Sequence, residues 1–270
     1  MPADLDLLHR IDAYLDAAPR TGATAEAIGP FTLFLNEGHG WRYYARPSPG
    51  VAGFTIDAVR AVRNRQRALS QPEAFEWIDE LSPDVGQAVA ADGMRVVDHP
   101  LMVLADDAPT PGAPEGVEVG IVDPDDDLAA LSAVAEVGFA APGTGTGTPG
   151  AADAAAAAAR QSADTIAFQR GRMLAGLTVA AAARVSGVLA AVGWHQPLDG
   201  ASEIVGVATL PAFRRRGLGA AVTGALVADA LERGVETVFL SADDDDVARV
   251  YARVGFRRVG TACAASVPTG

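Results

Sequence analysis

Apolar and polar residues along this chain switch repeatedly between a period near 3.6 and a period of 2, and the switches divide it into short helices and strands. Leu5, Leu7, Leu8, Ile11 and Leu15 predict an amphipathic helix running to about Ala18. Phe31 to Leu35 and Trp41 to Ala45 flank Asn36-Glu37-Gly38-His39-Gly40 and predict a hairpin with a Gly-rich turn. A helix over 56–69 follows, carrying Arg60, Arg63, Arg65 and Arg67 on a solvated face. Next come a strand over 74–78, a helical stretch from Asp84 to Ala91 and one or two strands between Met94 and Leu104.

Asp106 to Gly116 is rich in Pro and Gly and reads as a linker. It divides the chain into an N-terminal domain over 1–105 and a C-terminal domain over 117–270. The second domain opens with a strand over Val117–Val122. The acidic run Asp123 to Asp127 then caps a helix from Leu128 to about Phe139, since carboxylates complement a helix start. The segment 141–150 is turn-prone and reads as flexible, and 151–163 as an Ala-rich helix. Residues 177–185, 187–195 and 204–210 make three antiparallel strands, the last two joined by an Asp199-Gly200 turn.

Composition narrows the classes. With 49% apolar and 20% charged residues in 270, the chain has enough apolar surface for a substantial core. A net charge of −13 disfavours non-specific binding to nucleic acid or an anionic membrane and suits a cationic small molecule or basic peptide. Cys263 is the single cysteine, which excludes an intrachain disulfide and a cysteine-based zinc site. No metal is expected: His9, His39 and His99 are scattered, and the run Asp243 to Asp246 reads as a solvated loop and helix cap. The first 20 residues have no apolar signal region, and no apolar run reaches about 18 residues. The expectation is a cytoplasmic protein with no membrane or nucleic-acid partner; a homodimer is left open.

The stretch with the clearest chemistry is Glu203 to Gly219, EIVGVATLPAFRRRGLG. Ile204, Val205, Val207 and Ala208 form a strand that Pro211 ends. Arg214, Arg215 and Arg216 then lead into Gly217-Leu218-Gly219 and a long helical run. Glycines let backbone N–H groups approach an anion, and the positive end of a helix adds to the attraction.

Arg214-Arg215-Arg216-Gly217-Leu218-Gly219 resembles the acyl-CoA motif [QR]-x-x-G-x-[GA] of the Gcn5-related N-acetyltransferases (GNAT). After a strand over Thr237–Leu240, the run DDDVARVYARVGF resembles the same family's N-x-x-A-x-x-x-Y-x-x-x-G-F signature, with Tyr251, Gly255 and Phe256 in place. Asp244 stands where Asn is usual and Val247 where Ala is usual, which puts one contact to the cofactor arm in question. The resemblance implies an α/β (α+β) GNAT fold, a mixed and mostly antiparallel sheet flanked by helices, and acetyl-CoA as cosubstrate with an amine acceptor. Carried over residue by residue, it implies a pyrophosphate seat at Arg214, Arg215, Arg216, Gly217, Leu218, Gly219 and Ala220. The backbone of Val207, Ala208 and Thr209 would run beside the pantetheine, and Asp244 near its arm. Glu203 would be the general base and Tyr251 the acid that returns a proton to the thiolate. In the family the segment between the first two helices borders the acceptor, so 141–150 is a candidate closing loop. His195 is an alternative base or a pocket-lining residue, or else a strand-end polar group.

A shift of 162 residues places Asp84-Val85 on Asp246-Val247 and Gly93-Met94-Arg95 on Gly255-Phe256-Arg257. The N-terminal half therefore reads as a second, degenerate GNAT-like copy, with Val89 in place of Tyr251 and Ala52-Gly53-Phe54 near the place of the arginines. Such a copy should bind no cofactor. Two function classes follow: an N-acetyltransferase working by direct attack in a ternary complex, or a non-catalytic protein that binds acyl-CoA or a partner. A dinucleotide fingerprint fits poorly, because RRRGLGAAVTG follows antiparallel strands.

Overall fold

A computed structural model describes residues 2–36, 43–106, 108, 112–141 and 143–268, with side chains from residue 5 onward. The elements run α1 (Pro2–Ala17), β1 (Ala23–Ile28), β2 (Phe31–Asn36), β3 (Ala45–Pro47), α2 (Ile56–Ala68), β4 (Ala74–Ile78), α3 (Pro83–Ala91) and β5 (Arg95–Leu104). They continue with β6 (Val117–Ile121), α4 (Leu128–Phe139), α5 (Ala151–Ala158), α6 (Ala163–Leu174), β7 (Val179–Val185), β8 (Val188–Leu198) and β9 (Ala201–Thr209). The last four are α7 (Leu218–Glu232), β10 (Thr237–Ser241), α8 (Asp245–Ala252) and β11 (Phe256–Ser266). Two compact units result. The first comprises 1–102, 241–244 and 258–270, and the second 103–240 and 245–257.

In the first unit β1, β2 and β3 pair antiparallel in series, and β3 meets β4 in parallel at Ala45 and Phe75. The expected hairpin is thus a three-stranded run. β1 went unread because its ATAEAI sequence lacks the bulky alternation of a strand, and the turn expected over 36–40 and the start of its second strand lie largely outside the described residues. The free side of β4 takes the last strand of the chain, with Ala262–Ser266 antiparallel to Ile78–Ala74. Phe31, Phe75, Trp77, Val59 and Val89 are almost wholly buried there, each contributing about 2–3 kcal/mol of apolar burial. The arginines of α2 are ion-paired rather than simply solvated: Arg60 and Arg63 reach Asp92, Arg63 and Arg67 reach Glu73, and Arg65 reaches Glu26.

In the second unit the strands lie in the order β10-β9-β8-β7-β6, antiparallel except for β9 with β10. Strand alternation sends side chains to two helical layers. His195, Ser202 and Val207 face α7, whereas Trp194 and Ala208 face α4. β7 reads VAAAARV, and its buried alanines admit a helix close to either face. Asp127 caps α4 by accepting from the Ala130 N–H at 3.0 Å, as the acidic run predicts. The Ala-rich helix stops at Ala158, and a further helix, α6, fills 163–174; its polar ADTIAFQRGRML buries no side chain fully, so its apolar period is faint.

The two halves of the chain repeat one element series at the same spacing of 162 residues. Shifted by that amount, α2 starts on Leu218 of α7, α3 on Asp245 of α8, and β5 overlies all but the first residue of β11. Two parallel strand pairs, β3 with β4 and β9 with β10, also correspond under this shift.

Candidate active site

β9 leaves β10 early. Their ladder joins Ala201, Ser202 and Glu203 to Thr237, Val238 and Phe239, and no pairing is recorded beyond those three among the described residues. β9 nevertheless continues to Thr209, with β8 on its other edge as far as Ala191 opposite Thr209. The two parallel strands therefore splay apart after Glu203, leaving one backbone edge of 204–209 facing an opening.

A bulge drives the divergence. Trp194 pairs with Val205 and Val192 with Ala208, so β9 spends one residue more than β8 between the two pairs. Gly206 lies inside the bulge at φ +66°, and a Cβ there would come within 2.8 Å of the Trp194 ring. Only glycine meets both demands, the left-handed backbone and the aromatic wall. Gly206 lies outside the acyl-CoA motif, and its signal in the sequence is a lone glycine inside an apolar strand.

Beyond β9 the chain turns over Pro211–Phe213 and enters α7. Arg214 is extended, while Arg215 at φ +64° and Gly217 at φ +76° are both left-handed, so the chain turns sharply twice before the helix. No side chain caps α7, and its first intrahelical bond is Ala221 N–H to Gly217 O at 3.0 Å. The amides of Leu218, Gly219 and Ala220 thus project from the helix end. A Cβ on Gly219 would lie 3.7 Å from Thr209 Oγ1 and 3.9 Å from Val207 Cγ1, so the helix end sits against the unpaired part of β9. Arg216 stacks over Phe213 at 5.3 Å, and among the described residues Arg214, Arg215 and Arg216 have no carboxylate partner. In a chain of net charge −13 this turn is an electropositive island.

The Arg214 side chain is committed elsewhere. Its guanidinium donates to the carbonyls of Thr209 (3.2 Å), Gly145 (3.0 Å), Gly138 (2.7 Å) and Ala141 (2.6 Å).

Glu203 stands at the last rung before the strands separate, opposite Gln196 of β8, and is half-buried. Alternation puts it on the α4 face, away from Ser202 and His195. Tyr251 is the next-to-last residue of α8, its ring edge-on to Phe256 at 6.0 Å. Burial pushes its phenol up to about 12, so the hydroxyl stays protonated across the ordinary pH range. Asp244 immediately precedes α8, whose first turn carries Asp245 and Asp246.

His195 is fully buried on the α7 face. One ring nitrogen meets Ser202 Oγ at 2.8 Å and the other Asp229 Oδ2 at 2.9 Å. Burial lowers its pKa, with Asp229 opposing. It fastens the β8–β9 hairpin to α7 and can neither line an acceptor pocket nor reach substrate as a base.

Residues 182–264 match the family model described as FR47-like protein. A GCN5-related N-acetyltransferase from Kribbella flavida superposes at a TM-score of 0.73 and 23% identity, covering 97% of this chain and 96% of its own. The chain has the GNAT fold. That fold is shared with a putative GNAT-family acetyltransferase from Novosphingobium aromaticivorans (TM-score 0.52, 20% identity, 89% of each chain). It is shared too with a tandem GNAT protein from the clavulanic acid biosynthesis pathway (TM-score 0.54, 16% identity, 89% of this chain and 79% of that one). No curated protein matches the sequence. The GNAT fold and its two-part organisation thus agree with the reading of the motifs.

The first unit carries the same fold elements with the corresponding places filled. Thr55 caps α2, its hydroxyl accepting from the Ala58 N–H at 3.3 Å, where α7 leaves its amides open. The Phe54 ring lies tilted against Phe31 at 5.2 Å, and Phe31 meets Phe75 edge-on at 5.2 Å. Aromatic rings occupy the region where β3 and β4 adjoin, and Val89 is buried at the position of Tyr251.

Proposed function

We propose that the second unit binds acetyl-CoA and transfers its acetyl group to a primary amine by direct attack in a ternary complex. The observation that carries this reading is the splay of β9 from β10, ending at an uncapped, electropositive helix start. The pyrophosphate would lie on the amides of 215–220, and the pantetheine arm along 207–209 as an added strand. From Thr209 back to Glu203 is six residues, about 20 Å of strand, which sets the distance between the anion seat and the reacting end.

At that end the amine nitrogen attacks the thioester carbonyl carbon. A C–N bond forms, and the oxyanion takes a hydrogen bond from a backbone N–H of the bulged strand. A lysine-like ammonium has a pKa of about 10.4, so freeing the amine near pH 7.4 costs about 4 kcal/mol. Glu203, directly or through water, takes that proton. The C–S bond then breaks, the nitrogen gives up its second proton to solvent, and the thiolate receives the Tyr251 proton, so that an amide and free CoA thiol result. With its phenol at about 12, Tyr251 donates uphill to a thiolate of ordinary basicity and recovers its proton from solvent. Asp244, just ahead of α8, would contact the pantetheine arm in place of the usual Asn. The reading needs no metal and no membrane or nucleic-acid partner.

Calorimetric titration with acetyl-CoA, followed by CoA-thiol release across a panel of amines, tests this. Saturable binding with amine-dependent thiol release is expected. Binding without turnover on any amine would favour a non-catalytic acyl-CoA-binding protein, and no binding would refute both readings. Glu203→Gln should lower turnover at least tenfold, the deficit growing as pH falls; an unchanged pH-rate profile removes Glu203 as base.

A further inference from the structure

The segment 141–150 reads as flexible from its sequence, yet it is stitched to the turn that follows β9. Gly147 N–H donates to Pro211 O at 3.1 Å, and Ala212 N–H to Pro149 O at 3.0 Å. A Cβ on Gly147 would come within 3.0 Å of Pro211 Cβ, and one on Gly150 within 3.4 Å of Ala212 Cβ. Upstream, a Cβ on Gly138 would meet that of Ala208 at 2.9 Å, so the end of α4 lies directly on β9. These glycines serve close backbone approach, and the segment is held rather than loose.

The Arg214 guanidinium is the fastener. One side chain collects carbonyls from the strand end (Thr209), from the last turn of α4 (Gly138), from the residue after its cap (Ala141) and from the segment (Gly145). A planar fork serves several acceptors at once, and a cation suits a helix C-terminus. The same residue begins the turn whose next amides form the anion seat.

We infer that Arg214 is a positioning residue that couples the pyrophosphate turn to the segment 143–150, so that filling the anion seat orders that segment and the end of α4. The inference rests on the acetyl-CoA reading above. Immobilising 215–220 on a pyrophosphate fixes Arg214, and its four hydrogen bonds carry that restraint to α4 and the segment.

Hydrogen exchange on the full chain, with and without CoA, tests it alongside CoA titrations of the wild type, Arg214→Gln, Arg214→Lys and Arg216→Gln. In the wild type, CoA should slow amide exchange in 143–150 by about fivefold or more. In Arg214→Gln the segment should exchange faster even without CoA and lose its response to CoA, while CoA affinity falls less than about threefold, because the side chain faces carbonyls. Arg214→Lys should restore part of the response, since an ammonium reaches only some of the four acceptors. Arg216→Gln should weaken CoA binding and leave segment exchange unchanged. Arg214→Gln that binds CoA poorly but keeps normal segment exchange would overturn the inference and make the side chain a direct anion ligand. A wild type that binds CoA with no change in 143–150 would also overturn it, leaving the function reading intact. A wild type that binds no CoA refutes both.

Discussion

Replacing Gly206 with alanine tests the part of the site that needs no ligand to be described. At φ +66° any Cβ strains the backbone, at roughly 1–2 kcal/mol for a left-handed L-residue. The added methyl also lands 2.8 Å from Cε3 and 3.1 Å from Cζ3 of Trp194, a ring held against the α4 core. Displacing it adds an overpacking cost of about 1–3 kcal/mol. A total near 3 kcal/mol corresponds to a fall of roughly 6–12 °C in Tm for a unit of this size. Relief by flattening the bulge would close the opening between β9 and β10 and remove two or three backbone bonds to the pantetheine, or roughly 30-fold in CoA affinity. Gly200→Ala is the control: its φ is +78° with nothing within 4 Å, so it carries the backbone cost alone and keeps CoA affinity. Calorimetric melts and CoA titrations of both variants decide the matter. A Gly206→Ala protein that melts like Gly200→Ala and binds CoA like the wild type refutes the bulge argument.

Three further outcomes are expected. Tyr251→Phe should lower kcat by ten- to a hundredfold with CoA affinity within about threefold of wild type, measured by thiol release and calorimetry; equal losses in both would make the phenol a binding group. Cys263 is buried and donates to Asp98, and burial first, then neighbouring carboxylates, push its thiol up to about 12. Below pH 9 folded and unfolded chains both hold that proton; above it the unfolded chain releases it first, so stability should fall by up to about 1.4 kcal/mol per pH unit, and urea melts should show Cys263→Ala flattening that slope. Acetyl-CoA should bind at one site per chain, because Thr55 and the Phe31, Phe54 and Phe75 rings occupy the corresponding places in the first unit; a calorimetric stoichiometry of two would refute that.

What was legible in the sequence was whatever depended on neighbours along the chain. The helix from Leu128 to Phe139 came out at its true bounds, because an aspartate cap and an apolar period coincide there. The anion seat was readable because strand, cationic turn and helix start are consecutive. What depended on partners across space was not. Gly206 signals a bulge only once Trp194 is known to lie beside it. Arg214 looked like an anion ligand until its four carbonyls were seen, and the glycines of 141–150 signalled mobility where they permit contact. His195 offered the right chemistry for a base, but which face of β8 it took depended on register with Ser202 and on Asp229 of α7.

The seating of the last strand on β4 has a consequence for how the chain is made. Ala74–Ile78 leave the ribosome nearly 190 residues before Ala262–Ser266, the strand that completes their sheet. At about 5–20 residues per second the first unit waits roughly 10–40 s with an open apolar edge. Its sheet therefore cannot be complete before β11 has been made, and a fragment ending at the linker would lack a strand however well the rest of it folded. The half translated first is the half finished last.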